Sequence, residues 1–148
     1  MALRSILVAD DMLEDSQAAL HEAVSLAKAC RAKLTIVTVV SAVSPAFGIP
    51  VPIGDSFAAI LDAATKRLDA MKQKLLTEGI VELETALLEG DPVDRVVAFA
   101  EKAQPDLIVV GSRGLSATGR FLLGSVSDGI LHHVRCSVMI VRSRAPPK

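Results

Sequence analysis

Asp106-Leu107-Ile108-Val109-Val110-Gly111-Ser112-Arg113-Gly114 opens the stretch on which the fold turns. The apolar run is continuous and rich in Val and Ile. It reads as a strand over 106–110 covered on both faces, because a one-sided strand would alternate with polar residues. The run then breaks into glycine. It continues as Leu115-Ser116-Ala117-Thr118-Gly119-Arg120-Phe121-Leu122-Leu123-Gly124-Ser125 to a helix start. A buried strand, a glycine-bearing turn and a helix in succession form the repeating unit of an α/β protein.

The rest of the chain keeps that rhythm. Apolar runs at 5–9, 34–40, 81–87 and 137–141 read as further strands. The run at 81–87 differs, since Glu82 and Glu84 alternate with apolar residues, which places it at or near a sheet edge. Between the runs lie helical stripes. Leu20, Val24 and Ala27 recur within 14–30. Phe57, Ile60, Leu61, Ala64, Leu68, Met71 and Leu75 follow, with Gly79 as a C-terminal stop. A third helix opens at Asp91-Pro92-Val93-Asp94, where Asp91 caps and Pro92 suits the first turn. Its stripe is Val93, Val96, Val97 and Ala100. A fourth starts at Ser125 and turns Val126, Ile130 and Val134 inward. The order βαβαβαβαβ implies a parallel sheet with right-handed crossovers, whose ligands lie beyond the carboxyl ends of the strands at the point where strand order switches.

Composition narrows the function. The chain has 148 residues, the length of one domain. Sixteen Lys and Arg against 17 Asp and Glu leave a net charge of −1, without the concentrated positive field that nucleic acid or an anionic membrane would require. Four Phe, no Tyr and no Trp argue against readers that stack bases on aromatic rings. The apolar start meets Asp10 and Asp11 at once, so it reads as neither signal peptide nor anchor. No uncharged run is long enough to span a bilayer. Cys30 and Cys136 form no CxxC pair and read as packed thiols in a reduced, cytoplasmic protein. The stretch 41–54, with Pro45, Gly48, Pro50, Pro52 and Gly54, reads as an irregular loop leaving the second strand, either a lid or a surface insertion. The tail 144–148 reads as frayed.

The glycine-bearing stretch carries the chemistry. Gly111 and Gly114 let a ligand approach the backbone. The amides at the start of the fourth helix favour an anion, the Ser125 hydroxyl donates, and Arg113 and Arg120 add positive charge. Phosphate binding is one reading; a glycine-rich crossover needed only for turning is the other. The pattern is neither a P-loop, since no Gly-Lys-Ser/Thr is present, nor the dinucleotide fingerprint after the first strand.

Gly111, two residues, Gly114, nine residues, then Gly124-Ser125 resembles the G-x2-G-x9-G-S/T signature of the universal stress protein family. Four further blocks follow the family in order: Ser5-Ile6-Leu7-Val8-Ala9-Asp10-Asp11, Glu89-Gly90-Asp91-Pro92, the strand and turn 105–114, and Cys136-Ser137-Val138-Met139-Ile140-Val141. The resemblance spans nearly the whole chain, 1–148, as a single domain. It implies an open, Rossmann-like, five-stranded parallel sheet in the order 3-2-1-4-5 with helices on both faces, of the adenine nucleotide alpha hydrolase-like kind. It implies ATP between the first and fourth strands, with Asp11 near the adenine or ribose and Val39 meeting the adenine through its backbone. Gly111 and Gly114 would approach ribose and phosphates. Gly124, Ser125 and Val126 would hold the phosphates, with Arg113 beside them. The resemblance does not choose among ATP, ADP, AMP and cyclic AMP, and leaves room for Mg²⁺ or Mn²⁺ on the phosphates. It also implies a homodimer through the strand 137–141.

Two positions depart from the family. Where Gly-Ser often follows the first acidic residue, this chain has Met12-Leu13. Asp10 is an extra acid beside Asp11, and by itself reads as a solvated strand end. The Asp10-Asp11 pair is also similar to that of response-regulator receiver domains, but Gly111 stands where their phospho-accepting Asp would be. His21, His132 and His133 lack a partner at metal or catalytic spacing. With no catalytic base identifiable, the functional expectation is a stress-response or regulatory module that binds an adenine nucleotide and hydrolyses it slowly at most. The alternatives are a scaffold that binds protein partners without nucleotide, and a true ATP-dependent enzyme.

Overall fold

A computed structural model describes residues 2–12, 14–41, 55–112 and 123–143. The chain runs β1 (Ser5–Asp10), α1 (Glu14–Cys30), β2 (Lys33–Val40), α2 (Asp55–Thr77), β3 (Glu82–Glu89), α3 (Pro92–Ala103), β4 (Leu107–Gly111), α4 (Ser125–His133) and β5 (Ser137–Val141). All five strands pair in parallel, in the order β3-β2-β1-β4-β5. The expected α/β class and strand order are both present.

Side-chain alternation along each strand divides the core into two layers. Ile6, Val8, Leu34, Ile36 and Val109 face α1 and α2, meeting Ala19, Ala23, Ala27, Leu68 and Leu75. Leu7, Val37, Ile108 and Val110 face α3 and α4, meeting Val96, Ala100 and Ile130. The central strands are dry on both sides, as their unbroken apolar runs require.

The edge position expected for β3 is correct. Lys33 of β2 lies level with Glu82 and bridges Glu84 at 2.7 Å and Glu82 at 3.6 Å. The hydrogen bond that the Lys33 ammonium donates to Glu84 is the main reason it is held above its ordinary range. Two sequence expectations need correction. Val81 precedes the strand and is 63% exposed. The α2 stripe is dry at Ala64, Leu68 and Leu75, whereas Ile60, one turn earlier, is 39% exposed.

Gly90 has φ +132°, a conformation open to glycine and strained for other residues, so the sharp exit from β3 into α3 needs glycine there. The Gly90 amide donates to the Val40 carbonyl at 3.0 Å, tying that exit to the end of β2.

Candidate functional site at the carboxyl ends of β1 and β4

The order β3-β2-β1-β4-β5 reverses direction between β1 and β4, and open α/β sheets bind ligands beyond the carboxyl ends of the strands at such a switch point. The Ser112 amide donates to the Val141 carbonyl at 2.9 Å, continuing the β4–β5 ladder past the last strand residue. The Ser112 carbonyl in turn accepts the Gly124 amide at 2.9 Å. That bond joins the two ends of the glycine-bearing stretch and sets the first turn of α4 directly beside the end of β4.

Gly124 is the N-cap residue of α4, with extended backbone and no side-chain capping hydrogen bond. Ser127, buried, turns its hydroxyl back to the Gly124 carbonyl at 3.0 Å. A capping side chain would normally satisfy one of the first-turn N–H donors. The contrast within this chain is α3, where Asp91 Oδ1 accepts the Asp94 amide at 3.0 Å. The start of α4 has the small residue, the amide donors and the dipole that a phosphate requires, with the exposed Ser125 at its edge. These groups fit an anionic ligand.

At β1, Asp11 is exposed just past the strand end. Val39, half-buried, lies one residue beyond Thr38, the register partner of Asp10. Asp11, Val39, Gly111, Gly124, Ser125 and Val126 thus all lie at the carboxyl side of the sheet. Arg113 and Gly114, with Arg120, lie outside the described residues, as do 42–54 and the tail 144–148.

Asp10 is not a solvated strand end. It is 2% exposed and carries a network of its own. Its Oδ1 accepts the Ser16 hydroxyl at 2.7 Å and the Met12 amide at 3.2 Å. Its Oδ2 receives Arg67 Nη1 of α2 at 2.6 Å. Sequence reasoning missed Arg67, which lies on the helix after a crossover and has no local signal. Met12 has φ +65°, a left-handed backbone that costs a non-glycine residue about 1 kcal/mol. That geometry supplies a physical reason for glycine at this position in the family pattern.

Other candidates lie elsewhere. His132 faces Asp128 at 3.3 Å, and His133 Nδ1 meets the Gly129 carbonyl at 2.7 Å, both within α4. Among the described residues no cluster of three His, Cys, Asp or Glu side chains could hold a metal ion. Cys30 is exposed rather than packed, at the last residue of α1. A cavity of about 470 Å³ lies at the opposite, amino-terminal ends of β4 and β5, lined by Val97, Ala100, Pro105, Val134 and Cys136 among others. It is remote from the switch point.

The family model for the universal stress proteins matches residues 2–142. The chain belongs to the universal stress protein family. A universal stress protein of Methanocaldococcus jannaschii is 33% identical over 142 residues, which cover 94% of this chain and 82% of the relative. Among solved structures, the universal stress protein UspA from Lactobacillus plantarum is 30% identical with a TM-score of 0.77, over 96% of this chain and 99% of that one. A universal stress protein in complex with cAMP is also 30% identical, with a TM-score of 0.66 over 96% and 98% of the two chains. This universal stress protein shares its fold with those structures. No helix among its described residues is long and apolar enough to cross a membrane.

Proposed function

We propose that this universal stress protein binds an adenine nucleotide across the carboxyl ends of β1 and β4 and serves as a stress-response or regulatory module. The observation that carries the reading is the Ser112–Gly124 hydrogen bond, which docks the α4 terminus, without a capping side chain, at the switch point. A relative at 30% identity in complex with cAMP supports the nucleotide class.

In this reading the phosphates sit on the amides of Gly124, Ser125 and Val126, with Gly111, Arg113 and Gly114 around them. Asp11 meets the adenine or ribose, and the Val39 backbone meets the adenine. Mg²⁺ or Mn²⁺ is held through the phosphates. The chain works as one domain in the cytoplasm, and its β5 edge pairs with the same edge of a second copy. In this reading the module hydrolyses its nucleotide slowly at most.

Calorimetric titration with ATP, ADP, AMP and cyclic AMP, run beside steady-state turnover, tests the proposal. Saturable binding with slow turnover supports it. Fast turnover points to an ATP-dependent enzyme, and no affinity for any adenine nucleotide leaves the scaffold reading. Gly114→Leu is expected to abolish binding while the far-ultraviolet circular dichroism of the sheet persists. Light scattering at the monomer mass would contradict the dimer.

A further inference from the structure

At the end of β1, the buried Asp10 and Met12, the latter in a left-handed backbone, meet in one hydrogen bond. The Met12 amide donates to Asp10 Oδ1 at 3.2 Å, closing the turn that carries Asp11 between them. A residue in this conformation persists only where its surroundings hold it. Here the holding group is a carboxylate whose side chain is fully buried, and its own position is set from two helices. Ser16 of α1 donates to Oδ1 at 2.7 Å, and Arg67 of α2 to Oδ2 at 2.6 Å. Thr38, level with Asp10 on β2, is fully buried, and its Oγ1 has no hydrogen-bond partner among the described residues. The anchoring therefore falls to the helices, and among the described residues Arg67 alone brings Asp10 a compensating charge. A buried carboxylate without one would be strongly disfavoured.

We infer that Arg67 is a positioning residue for the nucleotide site: through Asp10 it holds the Asp10–Met12 turn, and with it Asp11, in the conformation that receives the ligand. The inference rests on the proposed nucleotide reading. Arg67 acts through Asp10 on a turn that a glycine at position 12 would adopt without strain, so the Asp10–Arg67 pair takes over what glycine would do. A site whose contact residues are held by a second set of groups loses affinity when that support is removed, even though no contact residue has changed.

The test compares ATP affinity by calorimetry for the unaltered protein, R67M, R67K and M12G/R67M, with ¹⁵N spectra of each in the absence of nucleotide. R67M is expected to weaken ATP by roughly tenfold and to move the Asp11 amide resonance, while resonances of α3 stay in place. R67K, which keeps the charge, recovers most of the affinity. M12G/R67M recovers it by another route, because glycine relieves the turn; a merely structural loss at Arg67 would not respond to position 12. Should R67M fail to fold, D10A/R67M removes both charges together with the acceptor of the Met12 amide, and is expected to show the same loss. ATP binding unchanged in R67M, or a loss that M12G leaves untouched, overturns the positioning role alone. Absence of ATP binding by the unaltered protein overturns the nucleotide reading and this inference with it.

Discussion

The side chain of Val93 fills the space in which a β-carbon at Gly129 would lie, 2.7 Å from Cγ2 and 2.9 Å from Cγ1. This contact lets α3 and α4 approach closely over the layer built on Val96, Ala100 and Ile130. Alanine in place of a mid-helix glycine normally stabilises by up to about 1 kcal/mol. At position 129 the crowding against a branched side chain outweighs that gain. G129A is expected to lower stability by about 1–2 kcal/mol in chemical denaturation. V93A/G129A is expected to lose less than the sum of the single changes. A stabilised G129A would contradict the close packing of the two helices.

Asp106 Oδ2 accepts the Arg4 amide at 2.8 Å and the Ser5 amide at 2.9 Å, fastening the start of β1 beside the start of β4. The Arg4 amide first, and the Ser5 amide next, hold this carboxyl below its ordinary range. A folded value below the unfolded one adds stability that is fully present above the unfolded value, near pH 4, and is lost as pH falls through the folded value. D106N keeps an oxygen for both amides and cannot ionise. The stability advantage of the unaltered protein over D106N, measured by urea unfolding at fixed ionic strength, is therefore expected to shrink between pH 5 and pH 2. A difference independent of pH would refute the ionised anchor.

Much of the fold was legible in the sequence because it is written locally. The buried strands show as unbroken Val- and Ile-rich runs, and Glu82 and Glu84 mark the β3 edge where Lys33 meets them across the register. The sequence places Asp106 as the first residue of β4; it lies just before the strand and works as an acceptor for Arg4 and Ser5 instead. The glycine and serine positions of the candidate site come from the resemblance of Gly111, Gly114, Gly124 and Ser125 to the family signature. The Asp10–Arg67 pair was not legible, since its members are 57 residues apart and meet only after two crossovers have formed. Cys30 misled because helical spacing cannot show that the last residue of α1 has passed the edge of the core.

The two thiols should differ in reactivity. Cys30 is exposed, whereas Cys136 is half-buried, and burial pushes its thiol above the ordinary range. Thiolate is the reacting form. With a chromogenic disulfide at pH 8, one thiol is expected to react quickly and one slowly, with C30S removing the fast phase and urea merging the two. Loss of the fast phase in C136S instead would contradict the assignment.

The most direct test of the central claim is a ¹⁵N-resolved titration of the unaltered protein with ATP. Saturable shifts are expected at the amides of Asp11, Gly111, Gly124, Ser125 and Val126, with Asp94 at the carboxylate-capped start of α3 unmoved. An absence of shifts at millimolar ATP, or shifts confined to the Cys136 cavity at the far end of the sheet, would contradict it.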